Sequence, residues 1–161
     1  MEEIFLLLGT NQGELKTNLL KALREIEKNR IRIIKKSKIY KSRPWGLHNQ
    51  PDFLNMAVEV KCDYSPIELL KIAKEIESKL GRKRTKKRWG PRIIDIDILF
   101  YRNKIINTKE LIIPHEEFYN RPFAIKSLAE ISPNFIPPQS KKRMKDYLSE
   151  IDNEGIEIYC D

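Results

Sequence analysis

Two acids, Asp95 and Asp97, stand in the apolar run "IIDIDILF" (93–100), directly behind a stretch dense in positive charge. From Lys79 to Arg92 the chain reads "KLGRKRTKKRWGPR", with eight basic residues in fourteen and no acid. Hard divalent cations such as Mg²⁺ take oxygen ligands and usually keep substrate phosphates in their shell, so a carboxylate pair suits them. Arginines and lysines of the basic stretch could grip the rest of a phosphate chain. An anion-gripping loop beside metal-gripping acids is the combination that polyphosphate chemistry uses. Taken alone, Asp-x-Asp is a weak signal, because the solvated side of a half-exposed strand offers the same pattern. Like charges on one face also raise each other's pKa unless a cation lies between them.

The acids need a rigid element to hold them. In a strand, Ile94, Ile96, Ile98 and Phe100 share one face, and Asp95 and Asp97 share the other, roughly 6.6–7 Å apart. Phe53–Val60 alternates as well, with Leu54, Met56, Val58 and Val60 on one side and Phe53, Asn55, Ala57 and Glu59 on the other. Ile4–Leu8 reads as a buried strand closed by Gly9-Thr10-Asn11, which no Gly-Lys-Ser/Thr follows, so it is a strand-to-helix turn rather than a Walker loop. Apolar residues at helical spacing predict a helix from about Gly13 to Asn29, with Asn11 and Glu14 in the pattern of a capping box. A second strand is expected over Arg30–Tyr40, and "KSRPWGLHNQPD" (41–52) is a loop. Ser65 and Pro66 open another helix, which stops at Gly81. After the strand Ile93–Tyr101, a turn at 102–104 leads into a short strand, Ile105–Asn107. Residues 121–131 read as a helix, Lys141–Glu150 as a short helix and Gly155–Tyr159 as an edge strand. The order β-α-β-β-α-β gives a ferredoxin-like α+β core with C-terminal additions, in which helices pack on one face of an antiparallel sheet. The other face is open unless something else covers it, and it collects two carboxylates, an aromatic ring and an amide.

The bulk numbers bound the partners. A chain of 161 residues fits one domain, here 1–161, with 40% hydrophobic and 34% charged residues. There is no apolar run near the ~20 residues of a membrane span and no signal-peptide pattern, so a cytoplasmic protein is expected. The thiols Cys62 and Cys160 have no zinc spacing and are too few for a disulfide framework. A net charge of +8 suggests an anionic partner. Nucleic acid alone would gain nothing from Asp95 and Asp97, which repel phosphates unless metal is present.

The stretch from Arg88 to Leu99, "RWGPRIIDIDIL", resembles the signature of the hydroxymethyl-dihydropterin pyrophosphokinases of folate biosynthesis. "GLHNQPDFLN" (46–55) resembles that family's pterin-side loop and strand. Pro114-His115 with Arg121-Pro122-Phe123 resembles its nucleotide-side segment, and Leu8-Gly9-Thr10-Asn11 is also similar. The matches run in order from about residue 4 to 130, and the family's ferredoxin-like core agrees with the order of elements above.

The resemblance implies transfer of pyrophosphate, as one unit, from ATP to a reduced hydroxymethyl-pterin, with release of AMP. It implies that Asp95 and Asp97 ligate two Mg²⁺ ions bridging the triphosphate. Arg82 and Arg92 would neutralise phosphate charge, with Arg84 as a helper, and Trp89 would cover the site. Phe53 and Phe123 would stack on the two pterin faces, and Asn55 would read the pterin edge. The backbone around Ser42, Pro44 and Trp45 would complete that edge. His115 and Arg121 would contact ATP phosphates, with Glu77 and Ile98 near the nucleotide. Lys74, Glu116 and Ser127 depart from the residues common in relatives. No nucleic acid or membrane partner is implied, and a monomer is expected.

Overall fold

In a computed structural model, the described residues are 2–43, 51–81, 93–153 and 155–159. The order is β1 (Ile4–Thr10), α1 (Leu15–Lys28), β2 (Arg32–Lys36), β3 (Tyr40–Ser42), β4 (Phe53–Lys61), α2 (Pro66–Lys79) and β5 (Asp95–Tyr101), followed by β6 (Ile106–Asn107), β7 (Ile112–Ile113), α3 (Pro122–Ile131) and β8 (Ile156–Ile158). Two 3-10 turns, Phe118–Asn120 and Met144–Glu150, flank α3. The main sheet runs β5-β1-β4-β3-β8, with β2 also paired to β4, and every pairing is antiparallel. Strands β5-β1-β4-β2 with helices α1 and α2 form the ferredoxin-like core expected from the sequence.

β1 is buried along its whole length because both of its faces are covered, which is why it reads as an unbroken apolar run. On one face Ile4, Leu6, Leu8, Leu54, Val58, Ile96 and Ile98 pack against Leu19, Ala22, Ile26, Leu69, Ala73 and Ile76 of α1 and α2. The opposite face, open in the strand pattern unless something covers it, is covered in part. α3 covers part of it, where Ile125, Leu128 and Ala129 join Phe5, Leu7, Ala57, Leu99 and Phe100.

Phe100 therefore stands on the α3 side, not with Ile94, Ile96 and Ile98. The register pairs Leu6 with Ile98 but Phe5 with Phe100, so Leu99 is an extra residue and β5 bulges there. The inserted residue turns the Phe100 ring onto Phe118 and Phe135, at centroid distances of 4.9 and 5.1 Å.

Three other expectations change. The Arg30–Tyr40 strand is two strands. Ser37 Oγ takes the Ala57 N–H at 3.0 Å, and the Lys38 N–H leaves β4 for the Glu130 carboxylate of α3. Asn11 does not cap α1: the cap residue is Glu14, without a side-chain bond, while Asn11 Nδ2 donates to the Pro51 carbonyl at 3.0 Å. The short strand expected at 105–107 is present at 106–107, where it pairs with β7 in its own two-stranded sheet. The Lys141–Glu150 helix is a 3-10 turn from Met144. Ser65 caps α2 with Pro66 in the first turn as expected, Glu68 completes a capping box with it, and Gly81 leaves α2 at φ +101.

Candidate active site

The site lies on the α3 side of the sheet, where α3 stops short. Gly9 pairs in register with Asp95 on one side and with Asn55 on the other, so one row of the sheet runs Asp95, Gly9, Asn55, Tyr40. Leu7 pairs with Asp97 in the next row of the same face. Gly9 is the floor between the acids and the amide. A Cβ there would stand 3.2 Å from Asn55 Oδ1 and 3.8 Å from Phe53 Cδ1, so only hydrogen leaves the surface flat. Sequence reasoning treated Gly9 as part of a turn; its place inside β1, facing two site strands, is the signal it lacked.

Both aspartates are half-buried at the start of β5, with their isoleucine neighbours turned into the helix-side core. Asp97 Oδ2 lies 3.3 Å from Arg121 Nη1 and 3.8 Å from His115 Nε2. Burial, then the Asp95 charge, pushes the Asp97 carboxyl up to about 8 against the opposing pull of Arg121. Its side chain keeps 23% exposure, so it is open to a ligand. Arg121 is the residue before α3, placed beside Asp97 as the helix begins at Pro122. Its buried Nε has no acceptor among the described residues, which leaves a guanidinium donor available to an anion.

His115 is held by its backbone N–H, which donates to the Leu99 carbonyl at 3.0 Å. The Glu117 N–H donates to its Nδ1 at 3.1 Å. Burial, then the Arg121 charge, lowers its pKa to about 4, so the ring is neutral at pH 7. With Nδ1 accepting, the proton sits on Nε2, and His115 offers a hydrogen-bond donor rather than a base.

Glu77 of α2 is buried and accepts the Ile96 N–H at 2.7 Å, stitching α2 to β5 beside the aspartates. A cleft of about 240 Å³ adjoins this edge, with Leu70, Ile98, Leu111, Ile112 and His115 among its lining residues and Asp97 at its side. Ile98 and His115 were expected there. Leu70 and the segment 109–112 were not, since the separate β6–β7 hairpin that brings the segment over β5 leaves little trace in sequence.

On the other side, Ser42 of β3 is buried opposite Phe53, and its hydroxyl accepts from Asn55 Nδ2 at 2.7 Å. Phe53 is half-buried on the Asn55 side of β4, and Phe123 rims the α3 cluster. Ser127 is buried and donates to the Phe123 carbonyl at 2.9 Å, and α3 runs unbroken through it. The structure thus brings Ser42, Phe53, Asn55, Asp95, Asp97, His115 and Arg121 to one side of the sheet, while Glu77 and Ile98 approach from the helix side of β5. Pro44, Trp45, Arg82, Arg84, Trp89 and Arg92 lie outside the described residues.

The donor set fits a hard divalent cation. Asp95 and Asp97 present carboxylate oxygens side by side, and a cation would relieve the charge that raises the Asp97 pKa. Among the described residues, no group of three His, Cys, Asp or Glu side chains comes together to hold a metal. Two carboxylates leave further coordination positions to water and phosphate oxygens, as Mg²⁺ commonly requires. Among the described residues, no helix is long and apolar enough to cross a membrane.

Comparison with known proteins gives the family and the fold. Residues 5–133 match the profile of the family described as 7,8-dihydro-6-hydroxymethylpterin-pyrophosphokinase. The chain is 41% identical over 150 residues to the 2-amino-4-hydroxy-6-hydroxymethyldihydropteridine pyrophosphokinase of Aquifex aeolicus, covering 93% of this chain and 92% of that one. It is 38% identical to the Bacillus subtilis protein of the same name, over 96% of this chain and 89% of that one. A crystal structure of wild-type Plasmodium falciparum HPPK-DHPS with pteroate shares the fold, with a TM-score of 0.74 at 15% identity, over 91% of this chain. This chain spans 44% of that longer protein.

Proposed function

Since the chain belongs to the hydroxymethylpterin pyrophosphokinase family, we propose that it transfers pyrophosphate from ATP to 6-hydroxymethyl-7,8-dihydropterin in folate biosynthesis, with Asp95 and Asp97 holding two Mg²⁺ ions. The observation that carries the site assignment is the meeting of Asp95, Asp97, Arg121 and His115 on a sheet face whose other end presents Asn55 and Ser42. The nucleotide takes the cleft along β5, between Leu70 and the β6–β7 hairpin, with Glu77 and Ile98 beside it. The pterin takes the β3–β4 end, between Phe53 and Phe123, with Asn55 reading its edge and the backbone of Ser42, Pro44 and Trp45 completing it.

In the reaction the pterin hydroxyl oxygen bonds to the β-phosphorus of ATP. The bond from that phosphorus to the oxygen bridging the α-phosphate breaks, its electron pair leaves with AMP, and the hydroxyl proton is lost to solvent. Bound Mg²⁺ would offset the triphosphate charge and favour ionisation of the hydroxyl. Neutral His115 donates from Nε2 to a phosphate oxygen, and Arg121 donates its free Nε and its Nη groups to the same chain of charges. Arg82, Arg92 and Arg84 add cations where negative charge shifts toward the leaving AMP, and Trp89 excludes water. The 161-residue chain acts as one domain, a cytoplasmic monomer.

Incubating the protein with ATP, Mg²⁺ and 6-hydroxymethyl-7,8-dihydropterin tests this reading. AMP should appear in step with the pterin diphosphate, and ADP in its place would refute pyrophosphoryl transfer.

A further inference from the structure

β8 lies beyond the stretch that the family profile matches, which ends at residue 133, and no proposed site residue falls on it. It nevertheless joins the sheet against β3, with Tyr40 opposite Ile158, Lys41 opposite Glu157 and Ser42 opposite Ile156. β3 has three residues and ends at Ser42, the partner of Asn55. Without β8 it would be a very short edge strand with one row of backbone groups unpaired.

The register identifies the bonds that matter. Tyr159 N–H donates to the Ile39 carbonyl at 2.8 Å, while Ile156 N–H turns back to the Asn153 carbonyl at 3.2 Å. Antiparallel alternation then makes Lys41 and Glu157 the next pair that exchange backbone bonds. Their side chains add an exposed ion pair at 3.8 Å, which contributes little. Just ahead of β8, Gly155 sits at φ +79, where a Cβ would stand 2.8 Å from Arg43 Nε. A side chain at 155 would therefore push on the residue that directly follows Ser42.

We propose that β8 is a positioning element for the pterin end of the site. It clamps β3 from outside, so that Ser42, and the Asn55 amide bonded to it, stand where the pterin edge is read. The inference rests on the functional reading above and concerns the pterin alone, because the nucleotide cleft follows β5 at the opposite edge of the sheet.

The test uses Glu157→Pro, which removes a ladder N–H, and Glu157→Ala, which keeps it and removes only the ion pair. Binding of fluorescent 6-hydroxymethylpterin is measured in the presence of Mg²⁺ and a non-hydrolysable ATP analogue, and the analogue's own affinity is measured separately. Glu157→Pro should weaken the pterin about tenfold and leave the analogue within about twofold, with Glu157→Ala near wild type for both. A purely structural role would lower the melting temperature without splitting the two affinities. Unchanged pterin affinity in folded Glu157→Pro overturns the inference alone. A wild-type protein that binds no pterin overturns the functional reading and this inference with it. If Glu157→Pro does not fold, amide exchange in the wild type decides: pterin should slow exchange at Tyr159 about fivefold or more, beyond any effect of the analogue. No slowing overturns the proposal.

Discussion

The two faces of the central strands are built from the same backbone and differ in what covers them. Toward α1 and α2, strands β1, β4 and β5 present mainly apolar side chains, among them Leu6, Leu8, Val58, Ile96 and Ile98, with Thr10 accepting a hydrogen bond from Asn18 of α1. Toward α3 they present Leu7 and Ala57 where the helix lies, and Gly9, Asn55, Asp95 and Asp97 where it does not. Away from the cleft at its β5 edge this face is closed and contributes stability, because a buried unpaired carboxylate there would cost several kcal/mol. A face covered for part of its length keeps the rigidity of the sheet and still meets solvent. The start of α3 also sets Arg121 against Asp97, so the edge of the cover supplies a site residue.

Substitutions on the two faces should separate cleanly. The largest effect is expected on the open face: Asp97→Ala, or Asp95→Ala, should lower AMP formation roughly a thousandfold or more while circular dichroism stays that of the wild type. On the closed face, Leu6→Ala should cost about 2–5 kcal/mol in urea unfolding and leave turnover of the folded fraction within about twofold. An Asp97 variant that mainly unfolds the protein, or a Leu6 variant that mainly disables it, would erase the distinction between the faces.

Two smaller effects sharpen it. Gly9→Ala places a Cβ against Asn55 Oδ1 and should raise the pterin KM by about fivefold, near 1 kcal/mol, with the ATP KM unmoved. The pH dependence of the ligand-free protein should carry the sign of Asp97. Its folded pKa, about 8, exceeds the ordinary carboxylate value. Its contribution to stability is therefore full below the unfolded pKa and is lost as pH rises toward 8. His115, lowered to about 4, acts in the opposite sense below its unfolded pKa of 6.5: stability falls as pH drops from there toward 4. Melting temperatures between pH 4 and 8, compared with Asp97→Asn, isolate the contribution of Asp97. The variant should lose the decline toward pH 8.

Much of this was legible in the sequence for a physical reason. Period-two alternation placed Asp95 and Asp97 opposite the isoleucines, and Phe53 with Asn55, before any tertiary contact was known. Ser65-Pro66 and Gly81 marked α2 because caps and left-handed residues have local signatures. Alternation failed at Phe100, where one inserted residue, Leu99, inverts the pattern. It could not show that α3 would return to cover part of the second face, since that packing joins residues far apart in sequence. Gly9 and Leu70 were missed alike: each gains its place from neighbours on other elements. The family resemblance supplied roles for Arg82, Arg84, Trp89 and Arg92 that spacing alone could not assign.

The central claim is that one strand offers two carboxylates to metal at a partly uncovered sheet face. Electron–nuclear double resonance tests it directly, with Mn²⁺ in place of Mg²⁺, a non-hydrolysable ATP analogue, and protein carrying ¹³C at the aspartate carboxyl carbons. Strong ¹³C coupling to Mn²⁺ is predicted for the wild type, and it should vanish when Asp95→Asn and Asp97→Asn are combined. Wild-type protein that binds the metal–nucleotide complex without such coupling would contradict the account.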